Sequence, residues 1–192
     1  MRAIKTAVLL FLCLWITTGL IYPALVTVIA QLAFPQQAAG SLIRLSDGSA
    51  VGSRWIGQAF TDPKYFWSRP SATADFPYNP LASGGSNLGP TNKDLWQQVA
   101  ARVKSLQESG MSGPLPSDLV MASGSGLDPH ISLEAALRQV PRVAQGRQFK
   151  EDKLRQLLQD QGEGRQWGFL GEPRVNVVQL NLALDKLDAH GR

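Results

Sequence analysis

Cysteine and histidine are almost absent from this sequence: one Cys, at position 13, and two His, at positions 130 and 190. A zinc site takes about three or four protein ligands, so a conventional one cannot be assembled. With no thiol after Cys13, the remainder of the chain carries neither a disulfide nor a redox pair. Ser-x-x-Lys and Gly-x-Ser-x-Gly are missing too, which removes the commonest serine-hydrolase signals and leaves such chemistry unsupported. Runs of basic residues are also lacking. The formal net charge is only +4, and Arg44, Arg54, Lys64, Arg69, Lys93, Arg102, Lys104, Arg138, Arg142 and Arg147 are scattered with few interleaved aromatics. That pattern reads as solvated surface, with no nucleic-acid footprint.

The longest absence is of charge. Residues 6–43 contain no Asp, Glu, Lys or Arg, and no later segment repeats this. A hydrocarbon core about 30 Å thick needs about 20 mostly apolar helical residues. Residues 7–34 supply them, so the chain reads as a short N-terminal tail (1–6), one transmembrane helix (7–34) and one soluble domain (35–192). A cleaved signal peptide is the competing reading, with Arg2 and Lys5 as its basic start and Ala30-Gln31-Leu32-Ala33 as a candidate cleavage site. Signal h-regions run only about 7–15 residues, however, and this run is longer. Cys13 follows Leu12, where a lipoprotein signal wants a small residue. Pro23 is expected to kink the helix. Trp15, Thr17, Thr18 and Gly19 form a candidate helix-contact face, since small residues permit close approach; an ordinary lipid-facing surface is the alternative. Arg2 and Lys5 flank one end of the span, while the nearest cation beyond the other is Arg44. The positive-inside rule therefore puts the N-terminus in the cytoplasm and the domain outside.

In the soluble part, Asp47-Gly48 between Ser41-Leu42-Ile43-Arg44-Leu45 and Ala50-Val51 predicts a hairpin. Residues 60–90 are loop-dominated, with six aromatics among prolines, and a loop this long usually has a function or a packing role. Thr91 is expected to cap a helix, with Asp94 returning the bond and Leu95, Val99, Val103 and Leu106 inward, ended by Gly110. Leu119-Val120-Met121-Ala122 is a strand candidate. Ser132 is expected to cap a helix running to Gln139 and stopped by Pro141. A third helix covers residues 150–161, with Leu154, Leu157 and Leu158 buried. Asn176, with Gln179 as its box partner, opens the last helix, lined by Val177, Leu180, Leu184 and Leu187. His130, after Pro129, reads as structural at a loop-to-helix entry, and His190 lies in the tail. The fold class is α+β: an α-rich domain with a few short strands.

Two polar loops are the candidates for function. In Tyr78-Asn79-Pro80-Leu81-Ala82-Ser83-Gly84-Gly85-Ser86-Asn87, the glycines between serines let backbone N–H groups converge into an anion nest. The loop lacks the Gly-Lys-Ser/Thr ending of a P-loop. A tight structural turn, with glycine supplying positive φ, is the competing account. The second loop is Ser123-Gly124-Ser125-Gly126-Leu127-Asp128-Pro129, equally readable as a helix entry.

Five blocks, in order, carry a resemblance. They are Tyr65-Phe66-Trp67-Ser68-Arg69-Pro70-Ser71-Ala72, the loop at 78–87, Ser125-Gly126-Leu127-Asp128-Pro129-His130-Ile131-Ser132, Gln139-Val140-Pro141-Arg142-Val143-Ala144, and Val175-Asn176-Val177-Val178-Gln179-Leu180-Asn181-Leu182-Ala183-Leu184-Asp185. Together they resemble the C subunit of the bacterial Kdp potassium-transporting P-type ATPase, from the anchor to the C-terminus; the basic tail His190-Gly191-Arg192 departs from it. The resemblance implies a single-span, non-pore subunit of the bacterial inner membrane, partnered by a potassium-channel-like subunit and a P-type ATPase subunit, with no catalytic residues of its own and no nucleic acid. Two roles attach to such subunits: a catalytic chaperone raising the pump's ATP affinity, with the serine-glycine turn likened to an ABC-transporter signature, and an extracytoplasmic assembly subunit. No cofactor is expected to bind tightly, and ATP would enter only through the complex. Ser83, Gly84, Gly85, Ser86 and Asn87 are then the candidate nucleotide or anion turn. Trp15, Gly19, Arg69, Tyr78, Asn79, Asp128 and Arg142 are candidate partner contacts. A domain outside the cytoplasm cannot touch cytoplasmic ATP, which favours the assembly role. A reading from another class is an anchored envelope enzyme or ligand-binding domain using the 83–87 turn and Arg69.

The charge asymmetry generates the first prediction. Protease added to spheroplasts is expected to digest the chain beyond Phe34 and to leave a protected fragment in which mass spectrometry finds residues 7–34. Full protection of the domain, or a mature N-terminus near Ala33, would overturn this topology.

Overall fold

The computed structural model describes residues 1–45 and 47–190, the last by its backbone alone. Ser46 of the expected hairpin turn and Gly191 and Arg192 of the basic tail lie outside the described residues. The chain divides into two compact units, one ending at Ser53 and the other starting at Arg54.

The first unit begins with the apolar helix. Helix α1 (Arg2–Ile16) runs into a π-helical turn (Thr17–Ile21) and continues as α2 (Tyr22–Ala33). At about 1.5 Å per residue, this helix is long enough to cross a bilayer core, and none of the spanning window is buried. The disturbance expected from Pro23 takes the form of the wide turn just before it. Pro23 has no N–H to give to the preceding turn, and a π-turn absorbs such a fault without ending the helix. Thr17 and Thr18 donate their hydroxyls to the carbonyls of Cys13 and Leu14, at 2.8 Å each, which satisfies polar side chains inside an apolar segment. A short helix α3 (Pro35–Ala38) follows. The predicted hairpin is present as β1 (Leu42–Arg44) paired antiparallel with β2 (Ala50–Ser53), with a register shift beside Arg44.

In the second unit, residues 54–92 form no regular element. Helix α4 (Lys93–Glu108) comes next, then α5 (Ser117–Val120), β3 (His130–Ser132), α6 (Leu133–Arg147), α7 (Glu151–Gln161), β4 (Gly162–Glu163), β5 (Arg174–Asn176) and α8 (Val177–His190). The three strands make an antiparallel sheet in the order β3-β5-β4, with Ile131 opposite Val175 and Gly162 opposite Val175 on the other edge. Its apolar residues meet those of the helices. Ala135, Ala136, Val140 and Val143 of α6, Leu154 and Leu158 of α7, and Val177, Leu180 and Leu184 of α8 form one core with Ile131, Val175 and Phe66. The α+β class is thus as expected.

Three local expectations are corrected. The cap of α4 is Asn92, whose Oδ1 accepts from the Asp94 N–H at 2.8 Å; Thr91 falls in the preceding turn, one residue too early. Residues 119–122 are not a strand. Leu119 and Val120 close a helical turn and are both buried, which adjacent strand residues on one face could not be. Pro116, Ser117 and Asp118 are helix-start residues, and a short apolar run cannot reveal its own periodicity. The third correction concerns Pro141, which does not stop α6. The helix continues to Arg147 and ends at Gln148 in the left-handed conformation. An interior proline costs about 3 kcal/mol. Val140 and Val143 on either side of it are fully buried, and burying each contributes about 1.5–3 kcal/mol, so packing outweighs the fault. As expected, Ser132 caps α6 by accepting from the Ala135 N–H, and Asn176 caps α8 by accepting from the Gln179 N–H.

Among the described residues the segment before α4 has no sheet partner, yet the backbone of Phe66 and Trp67 is satisfied. Asn181 of α8 accepts from the Phe66 N–H and donates to the Phe66 carbonyl, both at 2.9 Å. Gln139 of α6 does the same for Trp67, at 2.7 and 3.1 Å. Two buried carboxamides thus replace a neighbouring strand. Gln139→Leu is expected to strand both polar groups of Trp67 as well as one Arg142 donor, and to destabilise the chain by about 3 kcal/mol or more, since each buried unsatisfied group costs about 1–3 kcal/mol. Thermal or chemical denaturation of the detergent-solubilised chain measures this. A loss below about 1 kcal/mol would show that the clamp is dispensable.

Candidate functional site

The two polar loops singled out in the sequence pack on each other. Ser71 sits between them. Its hydroxyl donates to the Gly126 carbonyl at 2.7 Å and accepts from the Tyr78 N–H at 2.9 Å. Thr73 donates to the Phe76 carbonyl and accepts from the Asn79 N–H. Asn79, only 3% exposed, is held at both ends of its amide: Nδ2 donates to the Ala74 carbonyl and Oδ1 accepts from the Leu81 N–H. Tyr78 lies in the left-handed region, at φ 61°, and its hydroxyl donates to the Arg69 carbonyl. Burial pushes the Tyr78 phenol up to about 12. Gly57 makes room for the Tyr78 ring and donates its N–H to the Leu127 carbonyl.

The serine-glycine turn is built against the second loop. The Gly84 N–H donates to the Ser125 carbonyl at 2.9 Å, and the Ser83 hydroxyl donates to the same oxygen at 3.1 Å. Ser86 and Asn87 continue the segment, with Asn87 exposed at φ 53°. The expectation that Gly84 and Gly85 serve positive φ is corrected: neither has it. Gly85 is needed for space, because a Cβ there would sit 3.0 Å from the Gly124 carbonyl oxygen. The conformational demand falls on Gly126, at φ 68°, where a Cβ would also come within 2.7 Å of the Gly84 oxygen. A Cβ on Gly84 would meet only the Ala82 carbonyl oxygen, at an ordinary 4.0 Å. Glycines of one loop therefore close against glycines of the other.

At the foot of the second loop, Asp128 organises charge. Its Oδ2 accepts from Arg69 at 3.1 Å, while Oδ1 accepts from the His130 N–H at 3.0 Å and lies 3.3 Å from His130 Nδ1. Burial pushes the Asp128 carboxyl up, but the His130 and Arg69 donors outweigh it and hold it below its ordinary 3.8. His130 begins β3, so its structural assignment stands on a strand entry and not on a helix entry. These groups, with Asp118, Ser132, Glu172 and Arg174, line an open cavity of about 500 Å³. Among the described residues no group of His, Cys, Asp or Glu is arranged to hold a metal ion.

Arg69, Tyr78, Asn79, the 83–87 turn and Asp128 are thus brought together. Arg142 belongs to a different constellation. It lies in α6, stacks on the Trp67 ring at 3.9 Å, and donates to the carbonyls of Pro63 and Tyr65 and to Gln139 Oε1. Burial lowers its guanidinium to about 10. Trp15 and Gly19 are in the first unit, Trp15 just before the π-turn and Gly19 within it; nothing approaches a Cβ built on Gly19. Sequence reasoning missed Ser71, Thr73, Gln139, Asn181 and Arg147. For Gln139 and Asn181 a signal existed: each is an amide set among the buried apolar residues of its helix, where an unpaired polar group is too costly to keep. Arg147 donates to Asp185 at 2.6 Å and Asp188 at 3.2 Å, and Tyr65 donates its hydroxyl to Asp185, tying the loop to α8.

The glycine seam generates a prediction. Gly126→Val adds backbone strain of about 1–3 kcal/mol and a steric conflict of similar size, whereas Gly84→Val should cost less than about 1 kcal/mol because it meets neither constraint. Denaturation of the two variants side by side tests this, and equal losses would refute it.

Comparison with known proteins agrees along almost the whole chain. The family model for KdpC, described as the K+-transporting ATPase c chain, matches residues 4–186. The potassium-transporting ATPase KdpC subunit of Geobacter metallireducens is 58% identical over 97% of this chain and 99% of its own. Its namesake from Geotalea uraniireducens is 56% identical over the same shares. That of Burkholderia ambifaria is 55% identical over 97% of both chains. The chain belongs to the KdpC family.

Proposed function

With that membership as the premise, we propose that this chain is the non-pore accessory subunit of a high-affinity, ATP-driven potassium uptake complex, acting by assembly and stabilisation. In this reading its partners are a potassium-selecting, channel-like subunit and an ATP-hydrolysing P-type subunit. The helix at Arg2–Ala33 anchors it once in a bacterial inner membrane, with the N-terminus cytoplasmic and the domain outside. One helix cannot form a pore, so transport belongs to the partners.

The observation that carries the assembly role is the state of the serine-glycine turn. The Gly84 N–H and the Ser83 hydroxyl, two donors that a nucleotide phosphate would need, are both directed at the Ser125 carbonyl. Those two donors are thereby taken by the protein's own second loop, whose Asp128 pairs with Arg69, the carbonyl of which accepts the Tyr78 hydroxyl; the joined surface is suited to docking. The chaperone role, in which the turn contacts ATP, would require these bonds to open.

Complex yield and ATP dependence measured on the same variants separate the two roles. Ser83→Ala and Ser86→Ala are expected to assemble normally and to leave the ATP concentration for half-maximal hydrolysis within about twofold, since each removes at most one neutral hydrogen bond of about 1 kcal/mol. Gly126→Val is expected to lower complex yield. Serine variants that assemble normally but need much more ATP would establish the chaperone role instead. An anchored enzyme, by contrast, would purify alone and function alone from mild detergent.

A further inference from the structure

A second constellation lies away from the paired loops. A cavity of about 570 Å³ opens between the turn after α4 and the outer side of α6, reaching Arg155 of α7. Met111, Leu115, Leu137 and Pro141 form its apolar wall, and its charged lining is Arg138, Arg142, Arg155 and Glu134. Three arginines thus line it with one glutamate, although the Arg142 guanidinium itself is engaged by Trp67, Pro63, Tyr65 and Gln139, which lie outside the lining.

Arg142 makes this imbalance costly. It is only 7% exposed, and no carboxylate lies within ion-pair distance of it among the described residues. Its terminal nitrogens are committed to carbonyls and to Gln139, while its Nε–H is buried without an acceptor. The Asp62 carboxylate supports its charge from beyond ion-pair distance, yet burial prevails and lowers the guanidinium. Arg155 is paired only with Glu151, at 3.0 Å across one helical turn, with both side chains nearly half exposed, so the pairing is weak and leaves its charge available. Arg138 is exposed on the rim, near the Gly113 turn.

We propose that this cavity binds a phosphate-type oxyanion that carries or neighbours an apolar group. Arg138 and Arg155 supply the direct donors, guanidinium being the group best matched to phosphate, and Arg142 adds positive charge behind the wall. The apolar wall accepts the hydrocarbon portion. A phospholipid head group and free phosphate share this chemistry, and the N-terminal helix gives the first of them a high local concentration.

The experiment uses the full-length chain, purified in mild detergent or reconstituted in nanodiscs, and does not depend on the partner subunits. Inorganic phosphate is titrated against chloride at constant ionic strength, following thermal stability and heat of binding. In parallel, nanodiscs containing phosphatidylglycerol are compared with phosphatidylcholine alone. Arg138→Gln and Arg155→Gln are the variants, since both side chains are exposed and their loss should leave the fold intact. Saturable phosphate binding weakened about tenfold by each variant is expected, a charged hydrogen bond being of that strength. Stabilisation by phosphatidylglycerol alone, lost in the variants, equally supports the site and identifies the head group as its ligand. An absence of both effects, or effects unchanged by both substitutions, overturns the proposal. So does protection of the arginines that arises only in the assembled complex, because that would identify a protein contact.

Discussion

Phe66 is buried and Trp67 half-buried in a segment without regular structure, and among the described residues no strand pairs with it. An enclosed peptide group without a partner is among the most expensive features a fold can carry. Here the partners are side chains: Asn181 from α8 brackets Phe66, Gln139 from α6 brackets Trp67, and Arg142 takes the carbonyls of Pro63 and Tyr65. Phe66 itself is fully buried in the core made by α6, α7 and α8. The long irregular segment is therefore fastened to the helical core around Phe66 and Trp67, and the loops that follow start from that position.

Arg69 is two residues beyond the clamp. Its carbonyl receives the Tyr78 hydroxyl and its guanidinium pairs with Asp128, so it joins the first loop to the second. Ser71 repeats the connection through Gly126, and the Gly84–Ser125 bond closes the far end. The outcome is a loop surface with the internal connectivity of a sheet but with side chains as its rungs. Such a surface is suited to recognition by shape, which fits a subunit that works by joining others better than one that works by chemistry. It also explains why residues flagged separately along the chain meet in space.

Arg142 serves two sides of α6. Toward the loop it is a structural donor stacked on Trp67, and it also lines the cavity on whose rim Arg138 stands. Pro141 next to it does not break the helix because the buried neighbours Val140 and Val143 hold both flanks. The same helix thus connects the two surfaces.

Much of this was legible in the residues alone. The uncharged stretch announced the apolar helix, because length and absence of charge are local properties. Asp47-Gly48 announced the hairpin, Ser132 and Asn176 announced their helices, and the leucines of α7 and α8 announced the core, since caps and periodicity act over a few residues. What failed in the sequence reading was whatever a distant neighbour decides. Pro141 reads as a stop because its local cost is visible and the packing that outweighs it is not. Residues 119–122 read as a strand because a short apolar run has no period of its own. The conformational role that the sequence suggests for Gly84 belongs to Gly126, because φ and close approach depend on the loop lying opposite. The amide brackets of Gln139 and Asn181, the pairing of the two loops and the unpaired charge of Arg142 all join residues far apart in the chain, and only tertiary packing brings such groups within reach of one another.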